Sequence, residues 1–283
     1  MRITEEQQEI LDSLICERLS RNPKNMREID QFFNSKNDKL VDRLLNEAYS
    51  EDENDKIAYY LVKDAEGHIL FYFSLKCGQL YDKHLDFDLF RLLGELYDGL
   101  LKMKSESDIS QEESLTIDKI LEEIRSRKGV LKEDLKKITK KNKSIEDFEK
   151  VFNDDVDKVG ATFSGIEIVQ FCLNEDCLGY WNKYGIKQKL GVVVFWQFIV
   201  PIIIKIKEWI GCEYLFLFAA DDSEDENLVN YYKTWLKFEN SNERSAATPV
   251  YDLTCKFLYQ ETYSLIEKRD AFFLNFNPDE DAV

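Results

Sequence analysis

The feature that most constrains this chain is the apolar stretch from Leu190 to Ile204, broken only by Gln197 and carrying Gly191 and Pro201. A bilayer span needs about 20 apolar residues, and this run meets Lys205, Lys207 and Glu208 too early. It reads as a buried helix, so no membrane contact is expected. A strand-length run, IEIVQFCL, precedes it, and EYLFLFAA, a helix over Glu226 to Leu236 and VYDLTCKFLYQ follow. Strands alternating with helices predict a mixed sheet with helices on its faces, hence an α/β fold.

Further upstream, IAYYLV and HILFYFSL flank Lys63-Asp64-Ala65-Glu66-Gly67, the pattern of a β-hairpin with a glycine in its loop. The first fifty residues have helical spacing: Ile10, Leu14 and Ile15, then Ile29, Phe32 and Phe33, then Leu40, Leu44 and Leu45. They predict two or three amphipathic helices, interrupted at Asn22-Pro23, with the acidic run Ser50 to Asp55 as a loop. Helical spacing returns from about Phe87 to Val159, around a polar stretch, Ser105 to Ser114, that reads as a linker. The expected division is 1–55 helical, 56–85 the first part of the sheet, 86–160 a helical insertion, 161–275 the core and 276–283 an acidic tail.

Charge narrows the partners. With 38 basic against 55 acidic residues, the 283-residue chain carries −17, a field that repels phosphate backbones and favours cationic ligands such as amines. Nucleic acid is therefore disfavoured as a partner. One local reversal stands out: Arg125 to Lys143 holds nine Lys or Arg against Glu133 and Asp134, a solvated helix face or a dock for an acidic partner. Six scattered cysteines without a CxxC pair, and a polar start with no signal-peptide core, point to a reducing cytoplasm. The only histidines, His68 and His84, leave little for a Ser-His-Asp device or a zinc site, and no phosphate-loop or dinucleotide glycine motif is present. No metal is expected.

The loop Ile186 to Gly191 feeds straight into the apolar helix, so its backbone N–H groups, the helix dipole and Lys187 and Lys189 make a seat for a pyrophosphate. Gln188-Lys189-Leu190-Gly191-Val192-Val193 resembles the Gln/Arg-x-x-Gly-x-Gly/Ala loop of the GNAT superfamily of acetyl-CoA-dependent N-acetyltransferases, with Val193 in place of the last small residue. Tyr232 to Phe238 resembles the family's helix with a tyrosine shortly before a Gly-Phe pair, with one extra residue and Lys237 where glycine is usual. The hairpin Ile57 to Leu75 is similar to the family's second and third strands. Together the likeness covers Ile57 to Leu80 and Gly165 to about Gln260.

The resemblance implies a mixed, mostly antiparallel sheet flanked by helices, with acetyl-CoA as co-substrate and direct attack by an amine. It implies Tyr232 as the acid and Glu167 as a base. Phe171, Cys172 and Leu173 would meet the acetyl carbonyl and pantetheine, Gln188 to Val193 the pyrophosphate, and Asn227 the cofactor. Asn174 and Glu175 would meet the adenylate half or form the turn. The acceptor is an amine-bearing small molecule, peptide or protein. Two other readings stand beside this one: a GNAT-like scaffold in which Val193 and Lys237 mark lost catalysis, and a toxin or defence effector acetylating a charged tRNA or another large target. Oligomeric state stays open.

Overall fold

The computed structural model describes residues 1–82, 87–105, 109–125, 162–221, 223–240, 244–246 and 255–277. They fall into two compact units, Met1–Leu80 with Phe163–Val283, and Tyr81–Thr162.

The N-terminal fifty residues are less helical than their spacing predicts. Helix α1 (Glu5–Ser13) starts on a capping box in which Thr4 and Gln7 exchange hydrogen bonds. Ile15–Arg18 then forms a strand, β1, antiparallel to β2 (Ala58–Lys63). Four residues reading ICER carry no alternation, so the partner's edge rather than the local pattern makes this strand. Short α2 (Asn25–Glu28) follows the Asn22-Pro23 break, then α3 (Asp38–Asn46).

The acidic run expected as a loop is largely helix α4 (Ala48–Glu53). Its Asp52, 1% exposed, accepts hydrogen bonds from Arg18 Nε (2.8 Å), the Ser20 N–H (2.7 Å) and the Tyr59 N–H (2.8 Å). One carboxylate thus ties α4 to β1 and β2.

Strand β2 turns into β3 (Ile69–Asp82) as a hairpin, with Gly67 at φ +93° and Asp64 accepting the N–H groups of Glu66 and His68. In the second unit α5 (Phe87–Lys104) packs on α6 (Gln111–Arg125) through Leu100, Ile117, Ile120 and Leu121. The stretch read as a linker ends early, because Ser110 and Glu113 form a capping box that starts α6. Beyond Arg125, the lysine-rich stretch lies outside the described residues, as does the acidic tail from Pro278.

The first unit resumes with β4 (Thr162–Leu173), α7 (Leu178–Lys183), the long helix α8 (Leu190–Lys207), β5 (Tyr214–Ala219) and α9 (Asn227–Leu236). Two short strands, β6 (Glu239–Asn240) and β7 (Arg244–Ala246), then β8 (Lys256–Glu261) and helix α10 (Leu265–Leu274) complete it. The strands form one mixed sheet in the order β1-β2-β3-β4-β5-β8-β6, with β7 on β3. β1–β2, β2–β3, β5–β8 and β6–β8 are antiparallel. β4 and β5, joined through α8, run parallel, as a helical crossover allows.

Helices cover both faces. On one, α8, α9 and α10 bury Trp196, Val229, Leu236 and Leu265 against Phe71, Phe73, Ile166 and Leu217. On the other, the N-terminal helices bury Ile29, Phe32 and Leu44 against Tyr59, Leu61 and Tyr72. Helix α8 has the length and composition to cross a membrane, yet Leu190, Val192 to Trp196, Ile199, Val200 and Ile203 are all buried in the core. Its middle, Phe195–Ile199, is a π-helical turn just ahead of Pro201, which has no N–H to donate.

Helix α9 ends at Lys237, held left-handed at φ 62°. A side chain is strained there and glycine is not. Lys237→Gly is expected to stabilise the fold by about 0.5–1 kcal/mol, read as a higher urea midpoint; a lower midpoint would refute the strain argument.

Candidate active site

The site follows from where β4 and β5 stop pairing. Their register runs from Gly165–Tyr214 to Ile168–Leu217 and ends there, while β4 continues to Leu173 and β5 to Ala219. At the same point β4 changes phase. Ile166 and Ile168 belong to the cluster under α8, but so do Phe171 and Leu173, whereas Val169 and Cys172 pack with the opposite cluster. Strict two-residue alternation would put 168 and 171 on opposite faces, so β4 carries one extra residue between them, as a β-bulge does.

The other edge of β4 remains anchored. The Gln170 N–H donates to Ser74 Oγ (3.1 Å) and the Asn174 N–H to the Leu70 carbonyl (3.0 Å). Beyond this point a cleft of about 640 Å³ opens beside the end of β4, and its walls include Phe71, Phe171 to Leu173, Trp181, Ile186 to Gly191, Tyr231 and Tyr232.

Helix α8 points its N-terminus into this cleft. No side chain caps it, and the N–H groups of Val192 and Val193 both turn back to the Lys189 carbonyl (3.0 and 3.2 Å). The N–H groups of Leu190 and Gly191 are the first-turn donors for which helix geometry supplies no acceptor. Gly191 is required for space: a Cβ there would stand 2.7 Å from the Tyr231 hydroxyl and 3.2 Å from Phe171. Lys189 holds its ammonium over the rings of Tyr231 (5.5 Å) and Trp235 (5.3 Å), beside the same helix start.

Tyr232, 8% exposed, sits across the gap with its ring 6.3 Å from that of Phe171. Its hydroxyl has no hydrogen-bond partner among the described residues. Burial, then Cys172 and Asp221, push it well above the ordinary tyrosine range, and burial does the same to Tyr231. Both phenols therefore stay protonated at neutral pH. Burial and Glu175 push the Cys172 thiol up to about 12, so it is no thiolate nucleophile.

Phe171, Cys172, Leu173, Gln188, Lys189, Leu190, Gly191 and Tyr232 all line the cleft. The remaining expected residues stand elsewhere. Val192 and Val193 are fully buried in the core. Asn227, exposed at the start of α9, gives its N–H to Ser223 Oγ (2.9 Å). Glu167 lies outside the lining, opposite Phe216 in the paired stretch. Counting by twos places it on the face of Phe171; the extra residue in β4 puts it on the other. Burial there raises its carboxyl against the pull of Lys76.

Gln188 lines the wall but its amide is committed elsewhere, donating to the Phe276 carbonyl (2.6 Å) while its own carbonyl accepts the Trp181 indole (3.2 Å). Asn174 and Glu175 turn out to be tethers: Asn174 Oδ1 accepts the Phe33 N–H (3.2 Å), and Glu175 accepts from the Ser35 N–H and hydroxyl (3.0 and 2.7 Å). They bring Asn34, Lys36 and Asn37 to the mouth of the cleft. The sequence carries no mark of that wall, whereas the Tyr231-Tyr232 doublet does mark the second phenol. Among the described residues no cluster of His, Cys, Asp and Glu has the makings of a metal site.

No family model matches the chain, and no curated protein does either. Among solved structures the chain is similar to a tyrosine-to-phenylalanine mutant of KacT, at 11% identity and a TM-score of 0.47, over 90% of this chain and 99% of that one. A structure described as AtaTR bound with AcCoA gives 12% and 0.47 over 91% and 98%. AtaT complexed with acetyl-methionyl-tRNAfMet gives 11% and 0.45 over 90% and 98%.

Proposed function

We propose that this chain is a GNAT-type N-acetyltransferase that takes acetyl-CoA into the cleft between the end of β4, the start of α8 and α9, and delivers the acetyl group to an amine. The observation that carries the reading is one arrangement. A parallel strand pair parts at Ile168–Leu217, an uncapped helix start at Gly191 faces the gap, and the unpartnered Tyr232 hydroxyl stands across it.

The residues present fit the group. The N–H groups of Leu190 and Gly191, the Lys189 ammonium and the Tyr231 hydroxyl supply donors for a pyrophosphate. The edge of β4 beyond Ile168 offers backbone groups to a pantetheine amide and an acyl carbonyl, apart from the Leu173 carbonyl, which accepts from Asn34 Nδ2 (2.9 Å). Acetyl-CoA brings the activated acyl group, as a thioester. The amine nitrogen attacks the carbonyl carbon, the C–N bond forms as the C–S bond breaks, and Tyr232 gives a proton to the departing sulfur. The nitrogen's surplus proton passes to water, which re-protonates Tyr232; Glu167 is too misplaced to serve as the base.

For the acceptor, the −17 charge favours a cationic amine. A screen would span polyamines, peptide N-termini, lysine-bearing proteins and an aminoacyl-tRNA. The reading places the enzyme in the cytoplasm, in keeping with six cysteines free of disulfides.

The test is calorimetric titration with acetyl-CoA, beside Gly191→Glu. The wild type is expected to bind, and the variant, with a carboxylate in the anion seat, to bind at least about tenfold more weakly. A folded wild type that binds no acetyl-CoA would overturn the proposal.

A further inference from the structure

A second cavity, of about 540 Å³, opens between the C-terminal end of α9, the π-turn of α8 and α10. Its walls are largely apolar: Phe272 stacks on the buried Trp196 at 5.9 Å and faces the cavity beside the partly exposed Trp235, with Phe238 and Ala271 around them. Its charged lining is mostly cationic, with Lys233, Lys237 and Lys268 against one carboxylate, Glu239, in a chain that is otherwise strongly acidic.

These lysines have few anions to answer them. Lys237 donates to the Thr234 carbonyl (2.8 Å), and half-buried Lys268 reaches the amide oxygen of Gln260 (3.4 Å). Among the described residues no carboxylate comes within ion-pair distance of any of the three, although Glu239 and Glu261 attract Lys268 from further off. Burial and Lys237 both disfavour the charge on Lys268. Two ammonium groups near one another at a largely apolar cavity, answered by carboxylates only from beyond ion-pair distance, favour an anion that can reach both. Pockets for small ligands combine these elements, apolar walls with a few convergent polar groups in a volume of about 300–1,000 Å³.

We propose that this cavity binds a small organic anion with a flat ring, the ring against Phe272 and Trp235 and the anionic oxygens on Lys237 and Lys268. The site shares the Gln188 wall with the acetyl-CoA cleft but is otherwise lined by different residues, and it does not depend on that reading.

The experiment is calorimetric titration of the full chain with three probes: 2-naphthoate, the uncharged 2-naphthalenemethanol and ringless acetate. Naphthoate is expected to bind, and the other two to bind about tenfold more weakly or less. Lys268→Met should weaken naphthoate by about tenfold or more with its unfolding midpoint preserved. Ala271→Trp, which fills the cavity and leaves its charge alone, should abolish binding. Gly191→Glu should bind naphthoate as the wild type does, which separates this site from the cleft. Absence of naphthoate binding by the folded wild type, or equal binding by Lys268→Met and Ala271→Trp, would overturn the proposal.

Discussion

Tyr232→Phe is expected to lower turnover by about 10²–10⁴-fold, the usual contribution of a positioned acid, while acetyl-CoA binds as before. The variant removes one oxygen whose hydrogen has no acceptor among the described residues, so folding should not suffer. The hydroxyl opens onto the cleft rather than being sealed in the core, so its loss should hold the unfolding midpoint about steady. Activity and stability thus move apart, which a packing role does not produce: a merely packed tyrosine would leave kcat unchanged. Because burial raises the phenol far above its ordinary range, the proton is present throughout neutral pH. The rate should therefore show no loss from tyrosine ionisation until strongly alkaline conditions. Steady-state kinetics with thiol detection reads the first part, and a kcat equal to the wild type's would remove Tyr232 from the mechanism.

Asp52→Ala is expected to cost about 3–5 kcal/mol of stability, because it strands a partner charge and donors inside the fold. Besides its three side-chain hydrogen bonds, Asp52 offers its carbonyl to Arg18 (2.9 Å). The guanidinium would keep that backbone carbonyl and Asp55 (2.8 Å), on the exposed side, but lose the buried carboxylate. The Ser20 and Tyr59 N–H groups would lose their acceptor altogether. Asp52→Asn retains the shape but turns an NH₂ towards one of these donors, so an intermediate loss is expected. Urea melts decide it: a change below about 1 kcal/mol for Asp52→Ala would show the site to be wet and the charge dispensable.

Where the pattern was strong, the sequence announced the structure. The β2–β3 hairpin, β4, α8, β5 and α9 all have long apolar or alternating runs, and each appears within a few residues of its expected place. β1, α4, β6 and β7 are short and polar, and they exist through contacts made at a distance. Asp52 illustrates this: local sequence marks an acidic loop, but burial among partners from two strands makes it helix.

The cleft divides in the same way. Gly191, Phe171 and Tyr232 were legible through their motif resemblance. Glu167, expected as a base from the resemblance, stands outside the cleft lining, on the face that the extra residue in β4 turns away from Phe171, and that extra residue leaves no mark in the sequence. Lys237 reads as a departure from a glycine pattern; its left-handed backbone gives the physical reason that pattern exists.

The wall of the cleft also has an order of assembly written into it. Gln188, which shapes the turn before Gly191, donates its amide N–H to the carbonyl of Phe276, and the next residue, Asn277, joins the carbonyl of Arg2 and the side chain of Gln7. On the ribosome, a nascent chain that already holds Tyr232 and Gly191 still lacks this latch. On the proposed reading, the acid and the anion seat precede the latch along the chain, so the turn between them is fixed only once Phe276 and Asn277 have emerged and folded back on Gln188 and Arg2.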